Sequence, residues 1–271
     1  MGAGVAEVAA AAGYDVVLRS RHQDTADAML AGLAKSLARQ VEKEKRTQAE
    51  ADAIAGRVKA TTHLGELVDV DLVIESVVED LGVKKALFAE LDSVCKPGAI
   101  LATNTSTLPV VELAMATGRP DLVCGIHFFN PAPAMSLVEV VRPITAADAT
   151  VAAALAFAES CGKEPVEVKD QAGFIVNALL FPYLNNAVRL LEQGVATKEG
   201  IDAAMKGGCG FPLGPFALLD LVGLDTSLAI LDALYDEFRD PNYAAVPLLR
   251  RLVTSGQLGR KAGRGFYDYA R

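Results

Sequence analysis

Residues 1–21 read MGAGVAEVAAAAGYDVVLRSR, and the reading of this stretch decides the fold. Gly2, Gly4 and Gly13 punctuate an alanine-rich run that gives way to Val16-Val17-Leu18. This is a helix from about Gly2 to Ala12 feeding a strand that ends at Leu18.

Working outward, apolar β-branched runs alternate with helical stretches as far as about residue 142: VVL at 16–18, VDLVIESVV at 70–78, AILATN at 99–104, VCGIHFF at 123–129 and LVEVV at 137–141. Strands separated by helices predict an α/β domain, a mostly parallel sheet with helices on its faces. Residues 26–58, rich in Ala, Lys, Glu and Arg, interrupt that rhythm and read as a helical hairpin inserted between two strands. From Asp170 onward FIVNALLFPYLNNAVRLLEQG, KEGIDAAMKGG, LGPFALLDLVGLDTSLAILDALYDEF and VPLLRRLVTSGQ carry helical spacing bounded by Gly and Pro. Two domains are expected, residues 1–169 and an all-helical 170–271.

In a dinucleotide-binding βαβ unit, a G-x-G-x-x-G loop lets the backbone approach a pyrophosphate, which rests on the N-terminus of the next helix. Gly2 reads as the third of those glycines. At the end of the second strand such units carry an acid for ribose hydroxyls, or a neutral residue with nearby Arg for a 2′-phosphate. Here the chain has Arg19-Ser20-Arg21. Guanidiniums flanking a serine attract the extra phosphate where a carboxylate would repel it, which favours NADP(H) and leaves NAD(H) open.

The chain has 271 residues, is 51% hydrophobic and carries a formal charge of −8, from 26 Lys+Arg and 34 Asp+Glu. That gives no basic field for nucleic acid. No apolar run approaches the roughly 20 residues of a membrane span, and the start is no signal peptide, so the cytoplasm is the expected compartment. Cys95, Cys124, Cys161 and Cys209 lie far apart without metal-ligand spacing and read as buried free thiols. No metal site is expected.

Among three histidines, His22 and His63 sit in polar, loop-like surroundings, whereas His127 ends an apolar run in GIHFFNPAP. Glu139 stands in the next run, LVEVV, beyond a proline-punctuated turn. A carboxylate in so apolar a run needs a partner. On adjacent segments it would meet the imidazole, fix its tautomer and produce a general base; a structural His–Glu pair is the other reading. TNTSTLP at 103–109 places Asn104 and Ser106 at the C-terminal edge of the sheet, where open α/β folds bind ligands. Asn177 interrupts an apolar helix face, and its amide must be satisfied, by a core partner or by a substrate oxygen in a cleft between domains.

VIESVVEDLGVKKALFAELD, LATNTSTLPV, GIHFFNPAPAMSLVEVV, DQAGFIVNALLFPYLNNAVRLLEQG, GGCGFPLGPFALLDLVGLDT and LGRKAGRGFYDY cover nearly the whole chain. Together they make it resemble the L-3-hydroxyacyl-CoA dehydrogenase family, of the 3-hydroxybutyryl-CoA dehydrogenase type. The resemblance implies a Rossmann-like domain, an acyl-CoA thioester substrate and a homodimer through the helical domain. It also implies that His127 is the general base, Glu139 its partner, and that Ser106 and Asn177 contact the reacting substrate. Glu79, Lys84, Asn104, Ser106, Asn130 and Lys261 match positions near the nicotinamide cofactor, and Ser36 and Lys43 match positions that touch coenzyme A. Ser20 departs from the acidic residue of NAD-using members. The family's first strand and complete glycine fingerprint are missing before Met1, so the natural protein is expected to start further upstream. A non-catalytic relative that has lost cofactor binding is the alternative.

Overall fold

The computed structural model describes residues 1–269, which fall into two compact units, one of Met1–Asp170 and one from Gln171 onward. The first unit runs α1 (Gly2–Ala11), β1 (Val16–Arg19), α2 (Gln23–Glu42), α3 (Gln48–Gly56), β2 (Val58–Thr61), β3 (Leu72–Glu75), α4 (Leu81–Val94), β4 (Ile100–Thr103), α5 (Val110–Ala114), β5 (Val123–Phe128), β6 (Leu137–Arg142), α6 (Asp148–Ser160) and β7 (Glu164–Lys169). The starts of α3 and α4 carry side chains that satisfy free N–H groups. Thr47 and Glu50 form a capping box on α3, and Asp80 Oδ1 accepts from Val83 N–H at 2.8 Å on α4. The helical hairpin expected over 26–58 is α2 and α3, which bury Ala26, Leu33, Leu37, Ala51 and Ile54 and leave their charged faces to water.

The strands divide between two sheets. β1 and β2 pair in parallel, and β3, β4, β5, β6 and β7 form a second sheet in that order. All of its pairs are parallel except β5 with β6. β1 and β3 are not hydrogen-bonded to each other, so the mostly parallel arrangement expected from sequence is divided between these two sheets.

Two strands were not expected from sequence. β2 is four residues of mixed exposure, and β7, EPVEVK, is an edge strand that buries only Val168. An edge strand needs no apolar alternation on both faces, and Pro165 is tolerated there. The 70–78 run forms a strand only over Leu72–Glu75. The thiols also depart from expectation, since Cys95 and Cys124 are buried but Cys161 is half-buried and Cys209 exposed at the end of its helix.

The core under the larger sheet joins Val5 and Val8 of α1 to Ile126, Phe128, Val138 and Val140 of β5 and β6, and to Val151 and Ala154 of α6. Each fully buried side chain of this size contributes about 1.5–3 kcal/mol. Gly125 lies opposite Val141, and a Cβ at that position would come within 2.7 Å of the Val141 Cβ. The missing side chain therefore sets how closely β5 approaches β6.

The second unit is helical: α7 (Val176–Glu192), α8 (Lys198–Cys209), α9 (Pro215–Val222), α10 (Leu224–Phe238) and α11 (Pro247–Thr254). Its core holds Phe181, Leu184, Val188, Phe216, Leu219, Leu231, Leu234 and Leu249. Two buried aspartates tie it together through backbone N–H groups. Asp202 accepts from Phe216 and Ala217 at the start of α9, and Asp220 accepts from Phe266 and Tyr267, docking the C-terminal turn.

Candidate active site

β5 and β6 are antiparallel, and their register sets His127 directly opposite Glu139. Side chains so paired have Cβ atoms about 4.5–5.5 Å apart, close enough for an imidazole and a carboxylate to meet. His127 Nδ1 lies 2.7 Å from Glu139 Oε2, with side-chain exposures of 6% and 1%. An ionised carboxylate only accepts, so Nδ1 carries the proton and Nε2 is the basic nitrogen. Ser106 Oγ stands 3.2 Å from Nε2. The imidazole thus has one face fixed in the sheet and its working nitrogen at a half-buried hydroxyl beyond the end of β4.

The same sheet edge gathers a second group of charges. Lys84, in the first turn of α4 and 1% exposed, places Nζ 2.7 and 2.9 Å from the two carboxylate oxygens of Glu75 and 3.3 Å from Glu79 Oε2. Glu75, the last residue of β3 and 1% exposed at its side chain, also accepts from Thr103 Oγ1 at 2.8 Å and from Val77 N–H at 2.5 Å. A charge so buried is tolerated only when paired and hydrogen-bonded, and removing one partner costs about 3–5 kcal/mol. Glu79 Oε1 accepts from Thr105 Oγ1 at 2.5 Å and from Ser106 N–H at 2.8 Å. Asn104 Oδ1 accepts from Phe128 N–H at 2.7 Å, tying the loop after β4 to the end of β5.

His127, Glu139, Ser106, Asn104, Glu79 and Lys84 are therefore brought together. Asn130 lies exposed just after β5. Gly2 begins α1, Arg19 ends β1, Ser20 N–H bonds the Thr61 carbonyl at 3.0 Å, and Arg21 is exposed. Ser36 and Lys43 sit seven residues apart, two turns along α2 and so on one face, Lys43 exposed at its C-terminal cap. His22 and His63 are exposed.

In the helical unit Asn177 is buried in the first turn of α7, and Lys261 Nζ pairs with Asp225 at 2.6 Å. Burial raises the Asp225 carboxyl, but the hydrogen bond and charge of Lys261, together with the backbone N–H groups of Thr226 and Asp225, outweigh it and hold the group below its usual range. Glu75 and Thr105 went unnoticed in the sequence. The available signal for Glu75 was a lone carboxylate closing an apolar strand with a lysine nine residues on, where the next helix begins.

A parallel sheet flanked by helices, a basic imidazole oriented by a buried acid at its C-terminal edge, and a separate helical unit define a dinucleotide-binding α/β oxidoreductase class. Residues 1–171 match the NAD-binding domain of 3-hydroxyacyl-CoA dehydrogenase, and residues 173–269 match its C-terminal domain. The chain is 48% identical over 269 residues to a 3-hydroxybutyryl-CoA dehydrogenase of Clostridioides difficile, covering 99% of this chain and 96% of that one. Among solved structures it superposes on FadB2 of Mycobacterium tuberculosis with a TM-score of 0.98 at 47% identity, covering 100% of this chain and 95% of that one. On (S)-3-hydroxybutyryl-CoA dehydrogenase PaaH1 of Ralstonia eutropha the TM-score is 0.97 at 41% identity, with 100% and 96% covered. The chain belongs to the 3-hydroxyacyl-CoA dehydrogenase family.

Proposed function

We propose that the protein interconverts L-3-hydroxyacyl-CoA and 3-ketoacyl-CoA, with 3-hydroxybutyryl-CoA and acetoacetyl-CoA as the four-carbon pair, using a nicotinamide cofactor. The observation that carries this reading is the His127 ring, held at Nδ1 by buried Glu139 and turned at Nε2 toward Ser106. Structural His–Glu pairs have no need of a second polar partner on the basic nitrogen.

The residues present fit a dinucleotide. Arg19 Nε and Ser76 Oγ, at the ends of β1 and β3, are buried without a hydrogen-bond partner. Buried polar atoms are rarely left so, and each is a donor suited to the oxygens of such a ligand. Gly2, Arg19, Ser20, Arg21, Glu79, Asn104, Ser106, Asn130 and Lys261 are assigned to holding the cofactor, and Lys84, buried behind them, serves that site through its ion pair with Glu79. Arg19, Ser20 and Arg21 favour a 2′-phosphate and hence NADP(H) over NAD(H).

When bound, the nicotinamide supplies or accepts the hydride at C3 of the acyl chain. In the oxidising direction His127 Nε2 removes the proton of the 3-hydroxyl, and Glu139 stabilises the imidazolium that results. In the reducing direction the same nitrogen returns that proton to the 3-oxygen. Ser106 and Asn177 hold the reacting substrate, and Ser36 and Lys43 take coenzyme A, where a lysine ammonium meets a phosphate. A homodimer through the helical unit is supported by the exposed Leu179, Val195 and Phe211, and a reducing, cytoplasmic setting by four unpaired thiols.

Initial rates with acetoacetyl-CoA and each reduced nicotinamide test the reading. Turnover that disappears in His127→Ala is expected, and absence of turnover by the folded protein with both cofactors would overturn it.

A further inference from the structure

Lys84 has no room to touch a ligand. Its ammonium is 1% exposed and engaged by Glu75 and Glu79. What it reaches instead is the loop after β4, since the Glu79 carboxylate facing Lys84 through Oε2 receives the Thr105 hydroxyl and the Ser106 N–H on Oε1. Thr105 is itself buried, and its hydroxyl oxygen accepts from Leu108 N–H at 3.0 Å, so it pins both limbs of the loop. Ser106 then projects its Oγ to His127 Nε2.

We infer that Glu75 and Thr105 are positioning residues, which act through Lys84 and Glu79 to hold the Ser106 hydroxyl at the His127 ring. Glu75 fixes the Lys84 ammonium from the end of β3, and Thr103 and Val77 N–H fix Glu75 in turn. The line Glu75, Lys84, Glu79, Ser106, His127 thus runs from the floor of the sheet to the basic nitrogen with every link a hydrogen bond or ion pair, and Thr105, bonded to the same Glu79 oxygen, is joined to Ser106 through the backbone. Without it, a half-exposed Glu79 and a short polar loop have nothing rigid behind them. The inference rests on His127 being the proton-transfer group. Small displacements of a reacting partner are costly, about 100-fold for 1 Å, which makes such support consequential.

The test is a double-mutant cycle on the full chain. Thr105→Val is expected to lower kcat about ten- to a hundredfold while moving KM for acetoacetyl-CoA and the reduced nicotinamide far less, with Thr105→Ser restoring turnover. In a Ser106→Ala background the same Thr105→Val change should have almost no further effect, because its route to His127 is already gone. Losses that multiply in the double variant would overturn the inference, since Thr105 would then act independently of Ser106. For Glu75, the paired replacement Glu75→Gln with Lys84→Met leaves no uncompensated buried charge and should reproduce the Thr105→Val loss; wild-type kcat in that folded variant would remove Glu75 from the line.

A readout without turnover separates this from the reading of the reaction. The imidazole 15N resonances of His127 in ligand-free protein should shift alike in Thr105→Val and Ser106→Ala. If the wild type proves inactive on acetoacetyl-CoA, the proposed reaction falls and these resonances still decide: matching shifts support the line, and an unmoved Thr105→Val spectrum overturns it.

Discussion

Glu139→Gln removes one negative charge from the sheet and little else. The side chain is 1% exposed and within 2.7 Å of His127 Nδ1, so the amide occupies the same space and its oxygen still accepts from Nδ1–H. What is lost appears only when the ring is protonated. Hydrogen bonds to a charged partner are worth about 1.5–3 kcal/mol and neutral ones about half as much. In the oxidising direction the proposed proton transfer to Nε2 creates imidazolium, so most of this difference falls on the barrier. Tenfold in rate per 1.36 kcal/mol gives a fall in kcat of about 10- to 150-fold if the whole charged bond is lost, and about 4- to 13-fold if the amide keeps a neutral bond. KM for both substrates should move much less, because neither contacts Glu139. Stopped-flow measurement of 3-hydroxybutyryl-CoA oxidation, following the appearance of the reduced nicotinamide, separates this step from product release. A single-turnover rate equal to wild type in a folded Glu139→Gln protein would refute the reasoning, leaving the carboxylate as a structural partner only.

Gly125→Ala should destabilise the first unit by about 1–3 kcal/mol in urea titration and lower kcat with it, since the new Cβ, two residues from His127, meets the Val141 Cβ; Val141→Gly in the same chain removes that atom and should recover part of both. Burial pushes the Cys124 thiol up to about 12. The unfolded chain therefore loses this proton first as pH rises, and stability should fall between the ordinary thiol range and about 12, a dependence that Cys124→Ala removes in urea titrations at several pH values. With a thiol reagent on native protein, Cys209 should react first and Cys124 only on unfolding. Arg21→Ala should raise KM for NADPH about tenfold and leave NADH little changed, as losing one charge-assisted phosphate contact requires, with initial-rate kinetics as the check.

The helices and buried strands were legible because their patterns are strong. β5 is buried along its whole length, the alanine-rich α1 has its glycines only in the first turn, and α2 and α3 show polar faces without proline. β2 and β7 were not, because a short or edge strand buries too little to leave a mark in composition. His127 and Glu139 could be named from their neighbours, an imidazole and an acid each out of place in an apolar run. Their direct opposition was beyond the sequence, since a turn of different register would have sent one side chain to the other face. The Glu75–Lys84 pair and the Thr105 hydroxyl depend on the parallel register of β3 with β4 and on where α4 starts, and no spacing rule encodes either.

The central claim is that this chain moves hydride to a 3-ketoacyl thioester while His127 delivers the proton. The most direct measurement is the solvent-deuterium effect on single-turnover reduction of acetoacetyl-CoA, in wild type and in His127→Gln. A normal effect in wild type, with turnover abolished in the variant, is the result expected. Equal rates in the two proteins, with the same isotope effect, would contradict it.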